Sequence, residues 1–261
     1  MKNLLALYFS GTGNTSFAVQ KMCDPFKAAG IKCDIQSIEQ AANLEMAVQD
    51  ADAVLIAHPI YGSCMPRIMS EFLTKNAELF RKKDIITLVT QTSFSGDGGM
   101  LAARLLKNQD IRHISSIHVD FPSNHAPKSD DENNKKIAQA QIKIKKCTGK
   151  ILQGIPIKDG QGIFSWIGGS WGQRLVSVPY IKKLRKGLKI EESLCVRCGD
   201  CANNCPMQNI VLKGNEKPTT NDNCTACYRC INLCSQKAIR LMSKKPITVQ
   251  YKGITIPKIT L

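Results

Sequence analysis

Eight of the chain's twelve cysteines lie between Cys195 and Cys234, and their spacing limits what the chain can fold into more than any other feature. The first run is Cys195-x2-Cys198-x2-Cys201-x3-Cys205, followed by Pro206; the same spacing returns as Cys224-x2-Cys227-x2-Cys230-x3-Cys234, followed by Ser235. Three thiols at two-residue intervals can wrap three corners of one iron–sulfur cubane. Structural zinc sites use paired C-x2-C knuckles with four ligands, and a third cysteine at the same short interval, present twice, argues against them. Serine in place of the second proline removes a turn-stiffening residue but no ligand. An internal repeat extends the match: Pro206-Met207-Gln208-Asn209-Ile210 follows the first run as Ser235-Gln236-Lys237-Ala238-Ile239 follows the second.

Over about 55 residues these motifs resemble bacterial two-[4Fe-4S] ferredoxins. The resemblance implies low-potential one-electron transfer and a crossed ligand set, in which the fourth cysteine of each run serves the other cluster. Cys195, Cys198, Cys201 and Cys234 are therefore assigned to one centre, and Cys224, Cys227, Cys230 and Cys205 to the second. Cys23, Cys33, Cys64 and Cys147 are read as small buried hydrophobes, with Cys64 set apart by its place beside a candidate flavin loop.

The first 150 residues follow a different rule. Short β-branched runs at Leu4–Phe9, Lys32–Ile38, Ala53–Ala57, Ile85–Gln91 and Ile114–Phe121 alternate with helical spacing, which predicts a five-stranded parallel sheet covered on both faces. In such sheets ligands bind beyond the strand C-terminal ends, at a topological switch point. The loop after the first strand is Ser10-Gly11-Thr12-Gly13-Asn14-Thr15, leading into a helix. Its glycines allow close backbone approach, its hydroxyls supply donors, and the helix N-terminus adds free amides and a positive dipole, which together suit a terminal phosphate. It lacks the Gly-Lys-Ser/Thr of a triphosphate loop, and Ser16 stands where a dinucleotide fingerprint has its third glycine.

This loop resembles the phosphate loop of flavodoxins, which implies a doubly wound, flavodoxin-like α/β fold holding FMN. By that resemblance Pro59, Ile60, Tyr61 and Gly62 after the third strand lie beside the isoalloxazine, with Tyr61 stacked on it. Thr92, Ser93, Phe94, Gly96 and Asp97 after the fourth strand face its pyrimidine side, and Asn124 after the fifth is a further ring contact. Asp97 has a second reading as the cap of the helix that starts at Gly98. His58, His118 and His125 are isolated, and His125 reads as a surface loop residue. Glu39, near the end of the second strand, has only a faint likeness to a ribose-binding acid.

The whole chain resembles the flavodoxin/ferredoxin fusion family common among anaerobes. The expected organisation is a flavodoxin-like domain over 1–152, closed by a helix from Asp131 to Leu152; a bridge over 153–187; a small α+β two-[4Fe-4S] ferredoxin domain over 188–245; and a tail over 246–261. The bridge, with Trp166 and Trp171, is expected to pack between the domains, the alternative being a membrane surface. The expected function is electron exchange between FMN and the two clusters with delivery to a redox partner. The alternative is an FMN-dependent reductase of a quinone, nitro compound or other small acceptor. A cluster-bearing regulatory module fits the flavin loops poorly.

The net charge of +15 concentrates along Lys135 to Lys150 and in Lys182-Lys183-Leu184-Arg185-Lys186. Without interleaved aromatics these runs give no nucleic-acid motif. Solvated helix faces and long-range attraction of an acidic redox partner are the readings left, and homodimerisation stays open. The apolar run at the N-terminus is too short for a secretory signal, no stretch reaches the length of a membrane span, and the many thiols point to a reducing cytoplasm.

Overall fold

The computed structural model describes residues 1–214, 216–242 and 247–254. The end of the expected cluster domain, 243–245, lies outside the described residues, as do 246 and 255–261 of the tail. The first half is a parallel sheet of β1 (Asn3–Tyr8), β2 (Lys32–Ser37), β3 (Ala53–Pro59), β4 (Asp84–Gln91) and β5 (Arg112–Asp120), in the order β2-β1-β3-β4-β5. Strands β1, β3 and β4 are buried along nearly their whole length, whereas β2 alternates with solvent because it is an edge strand.

Alternate residues of β1 feed two separate cores. Leu4 and Ala6 pack under α1 (Asn14–Ala28) and α5 (Asp130–Leu152), with Met22, Phe26, Ala140 and Ile144. Leu5 and Leu7 face α3 (Arg67–Lys75) and α4 (Leu101–Leu105), with Met69, Leu73 and Ala102. The short α2 (Leu44–Asp50) adds Val48 to this second core. The β5 edge is also covered: the Ser116 amide donates to Ile157 O at 2.8 Å, and the Asp159 amide donates to Ser116 O at 3.0 Å. This pairing blocks further strand addition.

Helix α6 (Ile163–Ile167) continues through a π-helical stretch, Gly168–Arg174, into α7 (Leu175–Leu184). Arg174 of this bridge reaches the fully buried Asp97, which also pairs with Arg104. Burial alone would raise the Asp97 carboxyl, but the two guanidinium groups outweigh it and hold it below the usual carboxylate range. Asp97 makes no capping hydrogen bond; its carboxylate is committed to holding the bridge, which corrects the capping expectation.

The cluster half is a small core of Leu188, Ile210, Ala226, Ile231, Ile239 and Leu241, into which Leu184 of α7 inserts. Strand β6 (Leu188–Ile190) will pair with the last strand of this half; α8 (Asp200–Asn203), β7 (Ile210–Val211), β8 (Thr219–Thr220) and α9 (Arg229–Leu233) lie between, and β9 (Ile239–Leu241) closes it antiparallel to β6. Among the described residues no helix is long and apolar enough to cross a membrane.

His58 and His118 are buried in the sheet, and burial pushes both down to about 4. The unfolded chain therefore takes up protons between about pH 6.5 and 4 that the folded chain does not, so stability is full above pH 6.5 and declines as pH falls through that window. The urea midpoint of the holoprotein is expected to be lower at pH 5 than at pH 7.5, with a smaller drop in His118→Gln. Equal midpoints at the two pH values would contradict the assignment.

Candidate cofactor sites

The switch point of the sheet, between β1 and β3, carries a cavity of about 460 Å³, within the size range of cofactor pockets. All four expected flavin loops contribute to it, through Ser10, Gly11, Thr12, Asn14 and Thr15; Pro59, Ile60, Tyr61 and Gly62; Thr92, Ser93 and Phe94; and Asn124. Gly13, Gly96 and Asp97, also expected there, are not among its lining residues. Gly13 turns the chain into α1 at φ 98°, Gly96 lies under the bridge, and Asp97 is held by arginines. The sequence offered no means of telling these from their neighbours in the same loops.

The side chains around the phosphate loop divide into structural and free groups. Ser10 Oγ accepts from the Gly13 amide at 3.1 Å, Thr15 and Thr90 hydroxyls meet at 2.7 Å, and Asn14 Nδ2 donates to Pro122 O at 3.0 Å. Helix α1 has no side-chain cap, which leaves its N-terminus for a ligand. The described residues lining this cavity include no Asp, Glu, Lys or Arg, so its polar groups at the Ser10–Thr15 loop are backbone amides, hydroxyls and the α1 N-terminus; the other side of the same loop borders a second cavity with Glu39, Arg229 and Lys252. The donor set fits FMN on those grounds.

Tyr61 sits differently from the stacking expectation alone. Its ring lines the cavity, while its buried hydroxyl faces Gly11, Cys227 and the Asn124 amide. Burial, followed by the neighbouring Cys227, pushes it well above the ordinary phenol range, so it stays protonated. Asn124 Nδ2 donates to Cys227 O at 3.1 Å, so its amide joins the two halves of the chain as well as lining the cavity. A Cβ on Gly11 would stand 2.6 Å from Cys227 O, and only glycine allows that approach. Cys64 is not among the cavity residues, and burial raises its thiol, which suits packing.

Several lining residues were missed from sequence. The bridge supplies Gln173, Ser177, Tyr180, Ile181 and Leu184, and the second cysteine run supplies Ala226 and Tyr228. His125, read as a surface residue, also lines the cavity, its ring 5.8 Å from that of Tyr228. The internal repeat held a signal: Tyr228 occupies the place of Gly199, and both are left-handed, at φ 60° and 85°. A tyrosine in that conformation is an outlier that needs a compensating contact.

The cysteines ring two enclosed pockets. One is lined by Cys195, Cys198, Cys201 and Cys234, the other by Cys205, Cys224, Cys227 and Cys230, the crossed sets that the spacing and resemblance implied. The repeat recurs in the backbone, since Arg197 and Ala226, and Gln208 and Lys237, are all left-handed. Amides four residues on donate to sulfur in both halves, Asn209 to Cys205 at 3.2 Å and Ala238 to Cys234 at 3.3 Å. Burial, then the neighbouring thiols, pushes Cys201 up to about 11, and burial takes Cys227 to about 12. Ligation must supply the energy to deprotonate them. Four thiols around each pocket, in two runs with a third cysteine at the same short interval, suit a polynuclear centre.

The two sites share one loop. Arg229, between Cys227 and Cys230, donates to Ser10 O at 2.7 Å and Gly11 O at 3.1 Å, and forms a two-pronged ion pair with Glu39 at 2.6 and 2.7 Å. Glu39 is therefore bound to the cluster half rather than free to meet a ribose. The tail adds a strap, with Tyr251 Oη donating to Asn14 Oδ1 at 2.6 Å.

The description "Flavodoxin domain" matches residues 5–111 and "4Fe-4S dicluster domain" matches residues 187–235, an arrangement that matches a flavodoxin/ferredoxin fusion. A flavodoxin domain implies FMN, and a dicluster domain implies iron–sulfur clusters, consistent with two. No curated protein matches the chain. Among solved structures, a flavodoxin from Streptococcus pneumoniae TIGR4 is 16% identical over 55% of this chain and 98% of its own, with a TM-score of 0.39. The two-electron reduced flavodoxin of Megasphaera elsdenii is 22% identical over 53% and 97%, with a TM-score of 0.41. Rubredoxin oxygen:oxidoreductase from Desulfovibrio gigas is 14% identical over 58% of this chain and 37% of its own, with a TM-score of 0.42.

Arg229→Ala leaves two loop carbonyls without their charged donor, and hydrogen bonds to charged groups contribute roughly 1.5–3 kcal/mol each. FMN affinity is expected to fall at least about tenfold, with iron per chain unchanged and Arg229→Lys intermediate. Titration of released flavin by fluorescence, alongside iron analysis, checks this; wild-type flavin affinity in Arg229→Ala would show that the clamp is irrelevant to the site.

Proposed function

We propose that a chain joining a flavodoxin domain to a 4Fe-4S dicluster domain, as this one does, is an iron–sulfur flavoprotein that exchanges electrons between FMN and two [4Fe-4S] clusters and passes them to a redox partner. The supporting observation is the segment Cys224–Cys230, which carries three of the thiols around one pocket and, through Ala226 and Tyr228, part of the wall of the other. When bound, FMN supplies two-electron chemistry and each cluster one-electron chemistry. The chain's own residues do the rest. The uncapped α1 N-terminus and the Ser10–Thr15 loop bind the phosphate, Tyr61 and Phe94 flank the ring, and Arg229 fixes the loop against the cluster half. The domain limits consistent with this reading are 1–152, 153–187, 188–245 and a tail over 246–261.

The carrier reading is preferred to reduction of a small acceptor. His58 and His118 are buried and neutral near pH 7, and neither lines the cavity. The described wall offers His125 as its one imidazole, with no carboxylate or lysine beside it, which is a thin provision for proton transfer to a substrate.

Freshly purified anaerobic protein is expected to contain about eight irons and one FMN per chain. In Cys205→Ala the pocket shared with Cys224, Cys227 and Cys230 loses a ligand, and iron should fall toward about four. Stopped-flow reduction should bleach flavin and cluster absorbance with a shared phase, and this phase is expected to disappear in Cys205→Ala. A wild-type flavin that never re-equilibrates with the clusters would end the proposal.

A further inference from the structure

The bridge helix is amphipathic in the wrong sense for a surface helix. The inner side carries Ser165, Gly169, Gln173, Arg174 and Ser177, all small or polar, and turns apolar only at its C-terminal end, with Tyr180, Ile181 and Leu184. Gly169 is buried, Gln173 meets Ser63, and Arg174 is spent on Asp97. Before that end the apolar residues point outward instead. Phe164 is 86% exposed, Val176 73%, Ile163 67%, Trp171 65% and Leu175 62%, with Trp166 and Ile167 close to half exposed. Isolated exposed apolar residues are ordinary, but a continuous apolar helix face is a binding surface.

The charge pattern selects the occupant. From Gly160 to Ile190 the sequence contains no aspartate or glutamate. The helix ends in Lys182, Lys183, Arg185 and Lys186, of which Lys182, Lys183 and Lys186 are exposed. A second copy meeting this face would bring two chains of net charge +15 together with no acid on the helix to offset the lysines. An anionic lipid surface complements both features, since tryptophan and phenylalanine seat at the headgroup boundary and lysines meet anionic headgroups. We infer that this helix attaches the protein peripherally to an anionic bilayer, lying in the interface on its Phe164–Trp171–Val176 side while its inner side walls the 460 Å³ cavity. The attachment is independent of which redox reading of that cavity is correct.

Trp166 and Trp171 are the chain's two tryptophans, so selectively excited tryptophan emission reports on this bridge alone. Full-length holoprotein, kept anaerobic with FMN and iron assayed, is mixed with vesicles of phosphatidylcholine and with vesicles containing roughly one part in three phosphatidylglycerol. Sedimentation with the anionic vesicles is expected, accompanied by a blue shift of tryptophan emission, and binding to neutral vesicles should be at least about tenfold weaker. Phe164→Glu should abolish both signals, and Lys182→Glu with Lys183→Glu should weaken anionic binding about tenfold or more, with FMN and iron content unchanged in each. Two results would overturn the inference. One is a blue-shifted emission that tracks protein concentration without lipid, together with a dimer by sedimentation equilibrium, which assigns the face to a second copy. The other is a monomer whose emission stays unshifted with either vesicle.

Discussion

The contact on which the rest of the structure depends is the Arg229 clamp. Its guanidinium is largely withdrawn from solvent, lies 5.8 Å from the Phe9 ring centre, and divides its donors between the Glu39 carboxylate and the carbonyls of Ser10 and Gly11. A planar group with five fixed donors can serve a carboxylate and two carbonyls at once, which a lysine cannot. Because Arg229 stands between Cys227 and Cys230, one side chain ties a thiol-bearing loop to the Ser10–Thr15 loop. Cys227 belongs to the same apolar core as Leu5, Leu7 and Phe9 of the sheet. The two halves share packing as well as hydrogen bonds.

Charge is distributed to match. The described walls of the flavin-site cavity carry no carboxylate, lysine or arginine, whereas the chain as a whole is strongly basic. Anionic cofactors would be drawn by that long-range field and then held by neutral donors, an arrangement that avoids desolvating a lysine inside the site. Asp97, a fully buried carboxylate with two arginine partners, is not among the residues lining the cavity. It fixes the bridge, whose Gln173, Ser177 and Tyr180 close one side of the cavity.

Much of this was legible in the sequence because it rests on local rules. The five strands follow from β-branched runs, and the observed limits differ from the expected ones by at most two residues at either end. The two cysteine runs followed from spacing and a repeat, and their crossed grouping from the resemblance to two-cluster ferredoxins that those runs carry. What could not be read were contacts between segments far apart in sequence. Asp97 looked like a helix cap because capping is local, yet the arginine that defines its role is Arg174. Glu39 looked like a weak ribose ligand because nothing near it in sequence reveals Arg229. The bridge was expected to pack between domains, and its inner side does so, but its inner residues are small and polar as far as Ser177 and apolar only beyond it. A search for a conventional apolar inner face therefore points the wrong way round.

The internal repeat shows where the second cysteine loop has departed from a purely metal-binding design. In the first run, Gly199 and Asp200 follow Cys198; in the second, Tyr228 and Arg229 follow Cys227. Glycine takes the left-handed turn at no steric cost, whereas a tyrosine there costs about 1–2 kcal/mol. The backbone is otherwise the same in both runs, with matched left-handed residues at Arg197 and Ala226 and at Gln208 and Lys237. Of these left-handed positions, Gly199/Tyr228 alone pairs a glycine with a non-glycine residue, and the non-glycine stands in the loop that meets the flavodoxin-like half. Tyr228 faces the cavity and His125, and Arg229 holds the phosphate loop. Both departures act across the boundary between the two halves, at a cavity wall to which the first loop contributes no described residue.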